Sequence, residues 1–272
     1  MDRELHYNDY TYFRFRITDT FFRGSKEGLS RYTMFPIKNE TESFVQFQIT
    51  PYTTISFREV LEPITPAHFA FQVPMSIFQN IVTWLLQSGI QILGNKNGDF
   101  IIHNTKQSRS LYFKDGDGNI LEIISHDYIK ERILNPVGKL QVIYLREIGL
   151  PVESVPVFRD WLKQTLQMRT LEDQDIFNLV IGGTAHAVVV SKGRPWIPIG
   201  MRALPPKMHI SFGTTSLSFL KEIQANLFQS NVKFHSNTNE ISFIREGYSF
   251  SVHLTENFKA DIPKKLKLPL SI

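Results

Sequence analysis

The sequence predicts an α+β protein built from four repeats of one supersecondary unit: a strand, a helix and further strands. Segments that alternate apolar and polar residues recur along the chain, which is the pattern of half-buried strands. Segments with helical spacing separate them. Turns rich in glycine, Asp and Asn join neighbouring strands. Together these features predict tandem modules, each with a strand, a helix and further strands.

Composition sets the broad class of the protein. At 272 residues, the chain is long enough for two domains with their own cores. Its net charge of +4 comes without a dense Lys/Arg stripe, so nucleic-acid binding is not expected. The absence of cysteine excludes disulfides and thiol catalysis. A charged start at 1–4 and the lack of a long apolar run predict a soluble, cytoplasmic protein without a membrane partner.

Module one has predicted strands at Tyr10–Ile17, Ser43–Ile49 and Thr53–Val60. Where its helix belongs, the segment Phe21–Leu29 contains two glycines. Because glycine is a poor helix former, we expect this helix to be absent or very short. The first module is therefore interpreted as degenerate.

Module two has the clearest pattern. Strand Ala67–Val73 leads into a helix at about 77–86, with Ser76 as predicted N-cap and Gly89 as C-terminal stop. Three strands follow, at Gly98–Asn104, Ser110–Lys114 and Ile120–Ile124.

Modules three and four come after a predicted linker at 133–138. Module three has a first strand within 139–152, a helix at about 155–167 with Ser154 as N-cap, and strands at 177–181 and 187–190. Module four has strands near 207–212, 232–235, 240–244 and 248–254, and a helix at 216–228. The basic segment 259–272 is predicted to be a loosely packed tail.

The hairpin Leu111–Ile124 carries the most specific signal. Its turn reads Asp-Gly-Asp-Gly-Asn, and its outgoing strand places Glu122 on one face with Ile120 and Ile124. A carboxylate among isoleucines needs a metal, a hydrogen bond or an ion pair. A calcium loop is excluded, because the positions that need Gly and Glu hold Ile120 and His126.

This hairpin resembles the closing hairpin of a module in the vicinal oxygen chelate superfamily. That superfamily includes glyoxalases, bleomycin-resistance proteins, fosfomycin-resistance enzymes and extradiol ring-cleaving dioxygenases. Its usual pattern is Phe-x-Asp-Pro-x-Gly-Asn-x-x-Glu, and Gly116 stands here in place of the proline. The resemblance implies that Glu122 is a metal ligand, and that His68 on the first strand of the module is another.

The resemblance also implies that two modules curve into one cup-shaped mixed sheet flanked by helices. We expect modules one and two (1–132) to form a first cup and modules three and four (139–258) a second. In the first cup, His68 and Glu122 would be the catalytic and metal-ligating pair, suited to Zn, Ni, Mn or Fe.

Module one leaves two hypotheses open for the first cup. Its ligand positions hold Tyr12 and Arg58, and a guanidinium cannot ligate a metal. Either Glu59 or His6 completes a divalent-metal site, or the site is vestigial and Arg58 pairs with Glu122.

The second cup offers a weaker metal set of Glu147, His209 and His253. Ser251 stands where an acidic ligand is expected on the last strand of module four, and module three offers Val190. Glu147 has the alternative of a salt bridge with Arg146 or Arg194.

Three classes of function remain: a metal-dependent dioxygenase, glyoxalase or lyase, a metal-free binder of the bleomycin-resistance kind, and a degenerate interaction protein. The residues of module one favour a superfamily protein that binds a small organic molecule in the first cup, with its ancestral metal site partly lost. The alternative is an active divalent-metal enzyme. An anionic or vicinal-oxygen ligand is expected beside Arg58, Tyr12 and Gln72, and the protein partner considered is a second copy of the chain in a homodimer.

Overall fold

The elements follow βαβββ order in modules one, three and four, and module two has one additional short strand after its helix. A computed structural model describes residues 12–19, 22–95, 97–105, 107–196, 200–255 and 258–271. The helices are α1 Phe22–Thr33, α2 Phe78–Ser88, α3 Val155–Leu166, α4 Leu217–Gln229 and α5 Ile262–Lys265. The strands are β1 Tyr12–Asp19, β2 Ile37–Thr41, β3 Phe44–Thr50, β4 Thr53–Glu59, β5 His68–Gln72, β6 Ile92–Leu93, β7 Ile102–Thr105, β8 Ser108–Lys114, β9 Ile120–His126, β10 Tyr144–Val152, β11 Arg169–Thr170, β12 Phe177–Gly182, β13 Ala185–Ser191, β14 Met208–Thr214, β15 Phe234–Ser236, β16 Glu240–Arg245 and β17 Tyr248–Leu254.

The strands form two mixed sheets, which confirms the predicted α+β class with tandem modules. One sheet has the order β15-β16-β17-β14-β1-β4-β3-β2 and combines modules four and one. The other has the order β11-β12-β13-β10-β5-β9-β8-β6, with β7 paired to β8, and combines modules three and two. We call the polar face of the first sheet cup A and that of the second sheet cup B.

The prediction that modules one and two share a cup is wrong. The first strands of modules one and four pair antiparallel in cup A, and those of modules two and three pair antiparallel in cup B. Periodicity in the sequence determines which face of a strand is buried, but it does not determine which distant strand lies beside it. The division of the chain into domains at 133–138 stays a prediction.

Module one also differs from the prediction, because helix α1 is 12 residues long. A Cβ atom on Gly24 would lie 2.7 Å from the backbone carbon of Gly116, in the turn of the module-two hairpin. Glycine is needed at both positions because the helix and the turn approach so closely. The packing of α1 against this turn offsets the low helix propensity of its glycines.

The ends of α2 and α3 test the capping predictions. Ser154 caps α3, with its side chain accepting a hydrogen bond from the Val157 amide, and Gly89 ends α2 at a positive φ of 78°. Ser76 does not cap α2: it lies in a 3₁₀ turn, and its amide and hydroxyl both donate to the Glu131 carboxylate. Glu131 therefore takes the amide that a capping box would satisfy internally.

The apolar faces of both sheets pack under the helices in one core. In the second sheet, the apolar face opposite cup B contributes Phe69, Phe71, Leu121 and Ile123 to this core, together with the inward residues of α2, as the strand alternation predicts. The segment after residue 258 is not a loose tail, because Ile262, Leu266 and Leu268 are buried against Ile129 and Tyr144. Within the described part of the chain, no helix is long and apolar enough to cross a membrane.

Candidate metal centre

Three strands bring His68, Glu122 and Glu147 together in cup B. Strand β5 lies between β9 and β10, and Ala70 pairs with Glu122 on one side and with Glu147 on the other. His68 precedes Ala70 by two residues and therefore shares its face. One potential ligand atom from each of the three residues lies within 4.8 Å of the other two. The small Ala70 side chain leaves space between the carboxylates.

The three side chains are buried, and burial changes the pKa values of His68 and Glu122. It lowers the pKa of His68 to about 4. Burial, reinforced by the nearby Glu147 carboxylate, raises the pKa of Glu122 to about 8, although hydrogen bonds from Ser110 and Tyr112 favour its charged form. His68 Nε2 is 3.6 Å from Glu122 Oε2, while Glu122 Oε1 has no hydrogen-bond partner within the described part of the chain. A neutral imidazole, two carboxylates and an unpartnered buried oxygen form a donor set that fits a divalent cation.

Arg146 is buried beside this triad. Its Nε donates to Glu147 Oε1 at 3.0 Å, and its terminal nitrogens donate to the hydroxyls of Tyr144 and Tyr128 and to Gln72 Oε1. The pairing of β10 with β5 shifts between Leu145 and Glu147. An extra residue in a strand turns neighbouring side chains toward the same face. Arg146 thus compensates one carboxylate and fixes the orientation of Glu147.

The fourth position expected for a ligand is apolar. Glu122 stands two residues beyond Ile120, the register partner of His68. Counted in the same way from Glu147, the position two residues beyond its partner His186 is Val188, which is buried. Within the described residues, the chain therefore offers three potential ligands, and the remaining coordination sites would be left for a substrate.

Aromatic side chains cover the triad. The Trp196 ring centroid lies 4.9 Å from that of His68, and the Tyr112 ring stacks on the His68 ring with the centroids 6.3 Å apart. A Cβ on Gly149 would lie 2.6 Å from the Trp196 ring, so a glycine is required for the indole to reach this position. These rings exclude water from the ligands and strengthen electrostatic interactions inside the cup.

The module-one residues predicted for this site lie elsewhere. Arg58 and Glu59 are exposed on β4 in the other sheet, and the Arg58 guanidinium lies 5.2 Å from the Phe44 ring centroid. The predicted Arg58–Glu122 ion pair and the Glu59 ligand are therefore wrong. Tyr12 also belongs to that sheet, but its side chain, like the whole of His6, lies outside the described residues.

Gln72 lies near the triad, because its Oε1 accepts a hydrogen bond from Arg146, which also bonds Glu147. The same oxygen contacts His126 Nδ1 at 3.0 Å. Its role in ligand binding stays a prediction. Of the two salt bridges considered for Glu147, the one with Arg146 is present. The expectation did not extend to the other partners of Arg146 or to His186, a fully buried histidine on β13. Burial, with the charge of Arg146 second, holds the pKa of His186 well below its usual value. An unusual signal for Arg146 was present in the sequence: two adjacent opposite charges, Arg146 and Glu147, within an otherwise apolar strand.

The set Glu147, His209 and His253 is also wrong as a single site. Glu147 belongs to cup B, whereas His209 and His253 lie on β14 and β17 in cup A. There they bond serines: His209 contacts Ser249 and Ser251, and His253 contacts Ser211.

Comparison with known proteins supports the fold. No protein-family model and no curated protein matches the sequence. Among solved structures, a putative dioxygenase from Bacillus subtilis matches with a TM-score of 0.66 and 12% identity, over 97% of this chain and 93% of that one. Glyoxalase I from Zea mays matches with a TM-score of 0.54 and 12% identity, over 90% and 92% of the two chains. The chain thus has the same fold as these dioxygenase and glyoxalase structures.

Proposed function

We propose that this protein is a divalent-metal-dependent enzyme that acts on a small organic molecule with two neighbouring oxygen atoms. His68, Glu122 and Glu147 would hold the metal in cup B. The observation that carries the proposal is the convergence of these three ligands, within 4.8 Å of one another, from three different strands. The alternative of a vestigial site depended on Arg58, which lies in the other sheet.

Charge balance supports a bound cation. Two buried carboxylates face one buried guanidinium, and Arg146 bonds Glu147 rather than Glu122. An ionised carboxylate without a counter-charge is costly to bury. A divalent cation between the carboxylates would remove that cost and satisfy Glu122 Oε1.

The donor set favours Lewis-acid chemistry over activation of dioxygen. Non-haem iron oxygenases typically use two histidines and one carboxylate, whereas cup B offers one histidine and two carboxylates. A bound divalent ion would polarise a substrate carbonyl or enolate oxygen. Proton transfer next to a carbonyl, as in glyoxalase-type reactions, is therefore the reaction class that we favour over ring cleavage.

The side chains around the metal ligands would hold those ligands in position. Arg146 holds Glu147 through Nε, and Ser110 and Tyr112 hold Glu122. Partners of this kind fix the direction of ligand atoms and typically affect metal affinity by 10- to 100-fold. Trp196 and Tyr112 flank His68 and keep bulk water away from it.

Metal analysis tests the proposal directly. Protein purified without chelator and then dialysed should retain about one divalent ion per chain. His68→Ala should lose the ion, and His209→Ala, its control in cup A, should keep it. Wild-type protein that binds no ion after incubation with Zn, Mn, Ni and Fe(II) would contradict the proposal.

Activity assays separate the two reaction classes. The metal-loaded protein should convert the adduct of a 2-oxoaldehyde and a thiol, monitored by absorbance. Consumption of dioxygen with catechols, without turnover of the adduct, would instead establish the ring-cleaving dioxygenase as the function.

A further inference from the structure

Cup A contains a cavity of about 470 Å³ whose chemistry differs from that of cup B. Ten of the eleven described lining residues are polar, and Leu254 is the exception. Thr54, Ser56, Ser211 and Ser251 are buried and form the floor of the cavity. A cleft with so little apolar surface does not suit a flat aromatic ligand, because such sites are lined mainly by apolar side chains.

The floor is crossed by a chain of hydrogen bonds between serines and histidines. His209 Nε2 lies 3.0 Å from Ser251 Oγ, which donates to Ser211 Oγ at 2.9 Å. Ser211 Oγ lies 3.1 Å from His253 Nδ1. Each hydroxyl and each neutral imidazole can both donate and accept. The floor therefore presents mixed donors and acceptors over a short distance.

Thr54 provides an independent indication of a ligand. Its side chain is buried at the cavity floor, and its Oγ1 has no hydrogen-bond partner among the residues that the structure describes. A buried hydroxyl without a partner destabilises the protein, so such groups are uncommon without a reason. A hydroxyl or an oxyanion of a bound molecule would satisfy it.

The cavity lacks the donor set of a metal centre. Ser251 takes the last-strand position at which an acidic ligand was expected, and both nitrogens of His209 already face serine hydroxyls. Within the described part of the chain, the group identified as able to hold a metal is the triad of cup B. Cup A is suited to hydrogen bonding rather than coordination.

We propose that cup A binds a small polyhydroxylated molecule, such as a monosaccharide or its acid or phosphate ester. Neighbouring hydroxyls that donate and accept match the floor of the cavity, and Asn237 and Asn239 at the rim add amide donors and acceptors. The His209 and His253 rings at this floor can donate hydrogen bonds to an oxyanion, so anionic members of the class are tested together with neutral ones. This site is independent of the metal centre.

The test uses the full-length protein and three probes: glucose, gluconate and glucose 6-phosphate. Isothermal titration and thermal unfolding should show one binding site per chain for at least one probe. Thr54→Val should weaken binding roughly 3- to 10-fold, because one hydrogen bond to the ligand is lost. It should not lower the melting temperature of the free protein, since it removes an unpartnered hydroxyl. Ser251→Ala should also weaken binding.

Glu122→Gln in cup B serves as the matched control and should bind the same probe with wild-type affinity. The probe that binds identifies whether an anionic group is required. Failure of all three probes to bind would overturn the proposal. Binding that is unchanged in both Thr54→Val and Ser251→Ala, or lost in Glu122→Gln, would place the ligand elsewhere and would overturn it as well.

Discussion

Cup A and cup B have the same strand layout but opposite chemistry. In cup B, two glutamates flank Ala70, a histidine completes the triad, and Trp196 covers it. In cup A, serines occupy the floor and the cavity is open to solvent. The same strand layout therefore supports a charged, buried donor set in one sheet and a hydrogen-bonding surface in the other. Function here depends on a few side chains at equivalent positions rather than on the fold.

The largest expected effect on stability comes from a pair of substitutions that replaces one arginine in each sheet by methionine. Arg146→Met in metal-free protein should lower the free energy of unfolding by about 3–5 kcal/mol, because it leaves the buried Glu147 carboxylate without its partner. Arg58→Met, on the exposed β4 end, should change it by less than about 0.5 kcal/mol. Urea unfolding of both variants provides the measurement.

Added divalent metal should reduce the difference in the free energy of unfolding between Arg146→Met and wild type, because the cation supplies the missing positive charge. Equal stabilities of the two arginine variants would show that Arg146 does not compensate the triad. A clear destabilisation by Arg58→Met would indicate that Arg58 forms a buried ion pair.

A second pair of substitutions tests how module one packs against the hairpin of cup B. Gly24→Ala should destabilise by about 1–3 kcal/mol, because its Cβ would lie 2.7 Å from the backbone of Gly116. Gly28→Ala in the same helix should stabilise by about 0.5–1 kcal/mol, since the nearest atom to its Cβ is 3.5 Å away. The melting temperatures of the two variants should therefore shift in opposite directions from that of the wild type. Shifts of the same sign would contradict the close approach of α1 to the hairpin turn.

The smallest predicted effect concerns pH. Burial, with the Arg146 charge second, lowers the pKa of His126 to about 2, and its ring also faces Gln72 and Tyr128. Folded His126 therefore stays neutral below pH 6.5, where an unfolded histidine takes up a proton. The stability that it contributes is present above pH 6.5 and decreases as pH falls.

Between pH 7 and pH 5, His126 should account for about 1–2 kcal/mol of lost stability in metal-free protein. Urea unfolding at these pH values should show a shallower decrease for His126→Gln than for wild type. Identical slopes would mean that His126 is accessible to protons in the folded state.

The sequence was sufficient to predict the faces of the strands that form the metal centre. His68, Ala70 and Gln72 line one side of β5, and Ile120, Glu122 and Ile124 line one side of β9, because alternation is a local property of a strand. The helices α2, α3 and α4 follow from apolar spacing in the same way. The superfamily motif then identified His68 and Glu122 as a pair.

Long-range pairing could not be predicted from the same patterns. The third ligand, Glu147, comes from module three rather than module one. The sequence pattern could not show this, because the first strand of any module has the backbone groups needed to pair with β5. The shift in register beside Arg146 and the contact between Gly24 and Gly116 likewise depend on segments far apart in the chain. Local propensity alone argued against α1, and tertiary packing overrode it.

The central claim, that modules two and three build one metal centre, is tested most directly by comparing Glu147→Gln with Glu59→Gln. Metal content should be measured for both variants after dialysis against buffer containing a weak chelator. The structure predicts that Glu147→Gln loses the ion, whereas Glu59→Gln on the other sheet retains about one ion per chain. Retention by Glu147→Gln together with loss in Glu59→Gln would contradict this pairing of the modules.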